Sequence, residues 1–170
     1  MIYAAFALAI AMLQPLPVLK GKYLTGRDAT LPADCKGKTA LLAFGFTYDS
    51  RHAVEDWSNR FRKDFGQDPH VTFYEIPIIA GAAQLGKWFI DSGMRKGTPK
   101  ELHENVITMY GGAAPWKTYL NYKNPDDAYL VLIDPTGAVR WHNNGKFDEA
   151  AYRELSGISL QLVQATPARP

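Results

Sequence analysis

The run Thr39 to Phe46 (TALLAFGF) carries no charge and is bounded by polar turns. A strand apolar on both faces has to be covered on both sides, so it suits the middle of a sheet and not its edge. That requirement sets the rest of the chain's task, which is to supply neighbouring strands and two layers of cover. The segment after it can supply one. Asp49 or Ser50 can cap a helix in which Ala53, Val54, Trp57, Phe61 and Phe65 recur along one face, with Gly66 at its close.

Further strands are expected at Val71 to Ile79 (VTFYEIPII), and in a hairpin of Ala128 to Asp134 and Ala138 to His142 joined by the turn Pro135-Thr136-Gly137. Residues 15–38 alternate short apolar groups with Gly and Pro, as an irregular hairpin would. Two helices are predicted between the second strand and the hairpin, Gln84 to Met94 and Thr98 to Tyr110. The second has a capping-box start in Thr98-Pro99-Lys100-Glu101. Trp116 to Lys123 is a connector, and Phe147 to Val163 a final amphipathic helix. The order strand, helix, strand, helical insertion, antiparallel hairpin, helix implies a mixed α/β sheet with helices on both faces.

Length and composition fit one domain. The chain has 170 residues, 46% of them apolar, enough for a single core. The net charge of +2 comes from 19 basic and 17 acidic residues mixed along the chain, so no polybasic face indicates nucleic acid. Ile2 to Leu13 is an uncharged apolar run too short to span a bilayer but about the length of a signal-peptide core, with small residues at Ala7, Ala9 and Ala11. Residues 1–14 are therefore expected to be a signal peptide or apolar leader, the alternative being a buried strand or helix. Residues 15–164 form the domain and 165–170 a disordered tail. Export places the protein in the periplasm or outside the cell, with membrane contact only through an uncleaved leader. The single cysteine, Cys35, can form no internal disulfide and excludes a Cys-rich zinc site.

The words of the sequence add a resemblance. TALLAFGFTYDSRHAVEDW resembles the strand and first helix of the thioredoxin-like superfamily, in particular the Sco copper-delivery proteins, where a strand ending FGFT precedes Cys-x-x-x-C. It is similar also to the TlpA-like and redoxin branch, where such a strand leads to Cys-x-x-C. YLVLIDPTGAVRWHNNG resembles the hairpin of that branch, and its I-D-P-x-G-x-[apolar]-R-W form is similar to the assembly factor for the membrane sector of mitochondrial ATP synthase. The resemblance implies a thioredoxin-like three-layer sandwich. It also implies where sulfur should stand: a Cys-x-x-C pair on Asp49 and His52, a Sco-type pair on Asp49 and Ala53, and a peroxidatic cysteine on Ser50 of Thr47-x-x-Ser50. The Sco copper histidine falls near Asp126 and the proline beside thioredoxin active sites near Ala128. No register finds cysteine.

Three functions are compatible with these residues. The first is a redox-inactive binding or assembly module with no cofactor and a protein partner, whose contact surface comprises Tyr48, Arg51, Trp116, Tyr119 and Tyr122. The second is a thiol-dependent oxidoreductase or peroxidase using Cys35, or an unusual site of Asp49, Ser50 and His52, since a carboxylate, hydroxyl and imidazole can together serve acid and base roles. The third is metal delivery, with Asp49, His52 and His142 as candidate copper ligands. His70 and His103 have no partner spacing.

Overall fold

The computed structural model describes residues 14–80 and 86–165. The leader at 1–14, apart from its last residue, and the tail beyond Ala165 lie outside the described residues, as does the expected helix start at Gln84. Seven strands form one mixed sheet: β1 (Leu19–Tyr23), β2 (Asp28–Leu31), β3 (Thr39–Gly45), β4 (Val71–Ile79), β5 (Ile107–Tyr110), β6 (Ala128–Ile133) and β7 (Val139–Gly145), in the order β2-β1-β5-β4-β3-β6-β7. As its apolarity requires, β3 is central and every residue of it is buried. It pairs in parallel with β4, Gly45 opposite Pro77, and antiparallel with β6, Phe44 opposite Tyr129.

Alternation along β3 sorts the core into two layers. Leu41 and Ala43 face α1 (Arg51–Phe65) and α4 (Glu149–Ala165), where Trp57, Phe61, Trp141, Tyr152 and Leu155 pack. Trp57 has no exposed surface, its indole N–H donates to the Gly145 carbonyl at 3.3 Å, and burying such a side chain contributes about 3 kcal/mol. Ala40, Leu42 and Phe44 face the other way, onto Leu16, Cys35 and Trp116 of α3 (Ala113–Tyr119). Helices thus cover both faces, as expected. Among the described residues no helix is long and apolar enough to cross a membrane.

The insertion differs from its expected form. One helix is present, α2 (Lys87–Gly97), but the capping-box segment makes only a 3-10 turn at Lys100–Leu102, and the rest of the predicted second helix is β5. Pro99 is extended (φ −52°, ψ 140°) and turns the chain away from a helix. The residues that follow, VITMY, are β-branched and apolar, and they complete the open edge of β4, with Ile78 opposite Met109. Pairing of an otherwise unsatisfied sheet edge outweighs a local start signal. The connector at Trp116 is helical, within α3.

Candidate functional site

The loop 46–50 leaves the carboxyl end of β3 and enters α1, and its Ser50 hydroxyl is turned inward. Ser50 occupies the N-cap position, yet its backbone is helical (φ −62°, ψ −16°) and its side chain makes no capping bond. Its Oγ instead donates to the Thr47 carbonyl at 2.8 Å and accepts from the Thr47 N–H at 3.3 Å. Thr47 Oγ1 reciprocates, accepting from the Ser50 N–H at 3.1 Å and donating to the Pro125 carbonyl at 2.9 Å. The next amides are taken up by the loop backbone, Arg51 N–H by Tyr48 and His52 N–H by Asp49, both at 3.4 Å. The expected caps are therefore corrected: neither Asp49 nor Ser50 caps α1, because the loop folds onto its own hydroxyls and carbonyls.

This arrangement determines what each candidate residue can do. Ser50 is fully buried, and both of its hydrogen-bonding roles are satisfied within the loop. Asp49 and His52 are exposed, and neither side chain has a hydrogen bond or ion pair among the described residues. His142 is exposed on β7, in a shallow depression beside Tyr119, Leu120 and Asn121. It lies opposite Val131 of β6, which in turn pairs with Leu42, back along β3 from the loop. Among the described residues no group of three or more His, Cys, Asp or Glu side chains could hold a metal ion, so Asp49, His52 and His142 are not gathered into one.

Cys35 lies in a 3-10 turn, Ala33–Cys35, after β2. It is buried, and desolvation, helped by the neighbouring Asp34 charge, pushes its thiol up to about 12. At neutral pH only about one such thiol in 10⁵ is ionised, which is the opposite of an activated nucleophile.

The aromatic candidates divide by burial. Trp116 is 3% exposed and stacks on Phe44 with centroids 4.9 Å apart, so its ring belongs to the core and not to a contact surface. Tyr119 is half-buried against it. Tyr122 stacks on Tyr129 at 5.5 Å and meets Phe46 edge-on at 5.0 Å, with the Lys117 ammonium 4.3 Å from its centroid. Tyr48 is 76% exposed, with the Arg51 guanidinium 3.8 Å above its ring.

Lys117 and Tyr129, which sequence reasoning passed over, join the two halves of this region together with Phe46 and Thr47. Tyr129 OH receives the Lys123 and Asn124 amides at 2.9 and 3.0 Å and donates to the Asn124 carbonyl at 2.9 Å, so it holds the loop whose Pro125 binds Thr47. Asp126 comes within 3.5 Å of Thr47 Oγ1. The available signal was an aromatic residue, Tyr129, within the apolar run of the first predicted hairpin strand.

No family model matches the chain, and no curated protein matches it. Solved structures do. A thiol:disulfide interchange protein DsbE from Chlorobium tepidum is similar at a TM-score of 0.60 and 16% identity, over 89% of this chain and 97% of that one. The C-terminal domain of a thiol-disulfide oxidoreductase from Bacteroides thetaiotaomicron is similar at 0.61 and 15%, over 88% and 97%. BsSco, of the Sco family of cytochrome c oxidase assembly proteins, is similar at 0.58 and 13%, over 91% and 96%. With the sheet order and the two helical layers, these similarities establish that the chain has the thioredoxin-like fold of the thiol-disulfide oxidoreductases and Sco proteins, built without a cysteine at the head of its first helix.

Proposed function

We propose that the protein is a redox-inactive thioredoxin-like module of the cell envelope that binds or helps to assemble other proteins. The observation that carries this reading is the state of the α1 head: no cysteine stands there, Ser50 is buried and bonded to Thr47, and the Thr47 hydroxyl and the loop carbonyls take up the amides that would otherwise stabilise a thiolate. The only sulfur nucleophile, Cys35, is buried and held protonated. Export is supported by the apolar leader and by the similarity to an exposed lipoprotein thioredoxin of Streptococcus pneumoniae at a TM-score of 0.53 and 15% identity. An accessory role is supported by the similarity to a member of a family of assembly proteins.

The contact surface in this reading is the exposed Tyr48 with the partly exposed Arg51, Tyr119 and Tyr122. The deciding experiment measures disulfide reduction and peroxide consumption by the wild type, Cys35→Ser and Asp49→Asn. Turnover at the blank rate in all three is expected. Turnover in the wild type that disappears in either variant would assign an enzyme and overturn the proposal.

A further inference from the structure

Helix α2 is attached to the domain in an unusual way. None of its residues is buried, although it carries Trp88, Phe89, Ile90 and Met94. Polar anchors hold its inner side: Asp91 accepts from Tyr110 OH at 2.7 Å, and Arg95 Nε donates to the Leu24 carbonyl at 2.8 Å. The outer side presents Trp88, 70% exposed, and Phe89, 74% exposed, packed edge to face at 4.8 Å. An amphipathic helix normally turns its largest rings toward the core. Here they form an apolar spot in water, the kind of surface that marks a contact site.

A second observation adjoins the first. On the sheet surface beside α2, a depression is lined by Lys20, Lys22, Asp28, Lys87, Thr108 and Tyr110. Of the three lysines only Lys22 has a carboxylate partner among the described residues, the exposed Asp28 at 2.6 Å. Lys87 lines the depression from the α2 side, its ammonium 4.7 Å from the Tyr110 ring centroid, and it immediately precedes Trp88 in the chain. A hollow in which Lys20 and Lys87 have no carboxylate partner among the described residues complements a carboxylate-bearing chain, and the nearby rings complement an apolar side chain.

We propose that Trp88 and Phe89, with the hollow of Lys20, Lys22 and Lys87, form a docking surface for an acidic protein segment that carries apolar side chains. This rests on the binding-module reading for the existence of a protein partner, but it uses a surface separate from the Tyr48 loop. Lysines supply attraction and register, and the aromatic pair supplies the desolvated anchor.

Three of the four tryptophans, Trp57, Trp116 and Trp141, are buried, so iodide quenching of the native protein reports on Trp88. The probes are a short synthetic peptide alternating Glu with Leu and Phe, its counterpart with Lys in place of Glu, and vesicles of phosphatidylglycerol and phosphatidylcholine. The Glu peptide is expected to shield Trp88 in a saturable way that weakens as salt is raised, and the Lys peptide to leave it exposed. Phe89→Ala, and separately the charge reversal Lys87→Glu with Lys20→Glu, should each weaken binding about tenfold or more, whereas Tyr48→Ala should leave it unchanged. All these positions are exposed, and an unchanged melting temperature checks the fold. Equal shielding by both peptides, shielding by neither, or shielding by vesicles alone would overturn the proposal. Turnover in the redox assays together with Glu-peptide binding would remove the redox-inactive reading and leave this surface in place.

Discussion

Ser50 Oγ donates to the carbonyl of Thr47 at 2.8 Å, and this inward turn is possible because residue 45 has no side chain. A Cβ placed on Gly45 would lie 2.7 Å from Ser50 Oγ and 3.3 Å from a methyl group of Val54. Gly45→Ala is therefore expected to destabilise the protein by about 1–3 kcal/mol through overpacking, and Ser50→Ala by about 1–2 kcal/mol through lost hydrogen bonds. The two costs should not add. With the hydroxyl gone, the closest obstacle to the new methyl is removed, so the double variant should be more stable than the sum of the singles predicts. Denaturant unfolding of the four proteins measures the coupling, and strict additivity would contradict the packing described.

Asp134 is the counterpart of Ser50 at the hairpin. Its buried carboxylate accepts from Thr136 N–H and Oγ1 at 2.8 and 2.6 Å, from Ala138 N–H at 3.1 Å, and from Arg140 Nε at 2.6 Å. Burial alone would raise its pKa, but these donors outweigh burial and hold it below the usual carboxylate range. A depressed native pKa gives stability that is complete above the ordinary value of 3.8 and fades as pH falls through the native one. Asp134→Ala should cost about 2–4 kcal/mol at neutral pH and make the remaining stability less sensitive to acid below that point. Melting curves between neutral and strongly acidic pH test both parts.

Sequence patterns disclosed the frame of this fold where periodicity or turn chemistry acts over a few residues. Val71–Ile79 is a strand at its expected bounds, the helix face Ala53, Val54, Trp57, Phe61 and Phe65 is buried, and Pro135-Thr136-Gly137 makes the hairpin turn. The failures occur where a distant partner decides. Thr98-Pro99-Lys100-Glu101 has a helix-start pattern, but β4 needs a neighbour, and Ile107–Tyr110 supplies it. Trp116 occurs in a Gly-rich, irregular-looking stretch that gives no hint of the Phe44 ring it stacks on. At the site, the loss of cysteine was legible, but the orientation of Ser50 was not. That orientation depends on Gly45 below it and on Pro125, fixed by Tyr129, beside it.

Glu75 lies within β4, where its carboxylate accepts from Ser58 Oγ. Desolvation raises its pKa above the usual value, and repulsion from Glu55 adds to this against the lowering influence of Ser58 and Arg62. A raised native pKa means that its contribution is complete below about 4.5 and is lost as pH rises through the native value, so the ionised carboxylate is a burden at neutral pH. Glu75→Gln removes the charge and keeps an oxygen for Ser58. The variant should melt above the wild type at pH 8, with the gap closing toward pH 4. A uniform loss of stability across that range would show that ionisation of Glu75 is not the controlling factor.

Cys35 offers a direct test of whether the fold conceals its only thiol. Burial in the layer that contains Leu31 and Tyr74 removes it from solvent, and its pKa of about 12 leaves almost no thiolate in the native state. Alkylation by iodoacetamide should then proceed only through opening of the 3-10 turn and its surroundings, at a rate set by the open population and the reactivity of an exposed cysteine. The native protein at pH 8 should react orders of magnitude more slowly than the urea-unfolded chain, and sub-denaturing urea should speed the reaction. Raising the pH from 7 to 9 should speed native alkylation only to the extent that it does so for the unfolded chain. Fast, urea-independent labelling at neutral pH would mean an accessible thiolate, and with it a route back to redox chemistry.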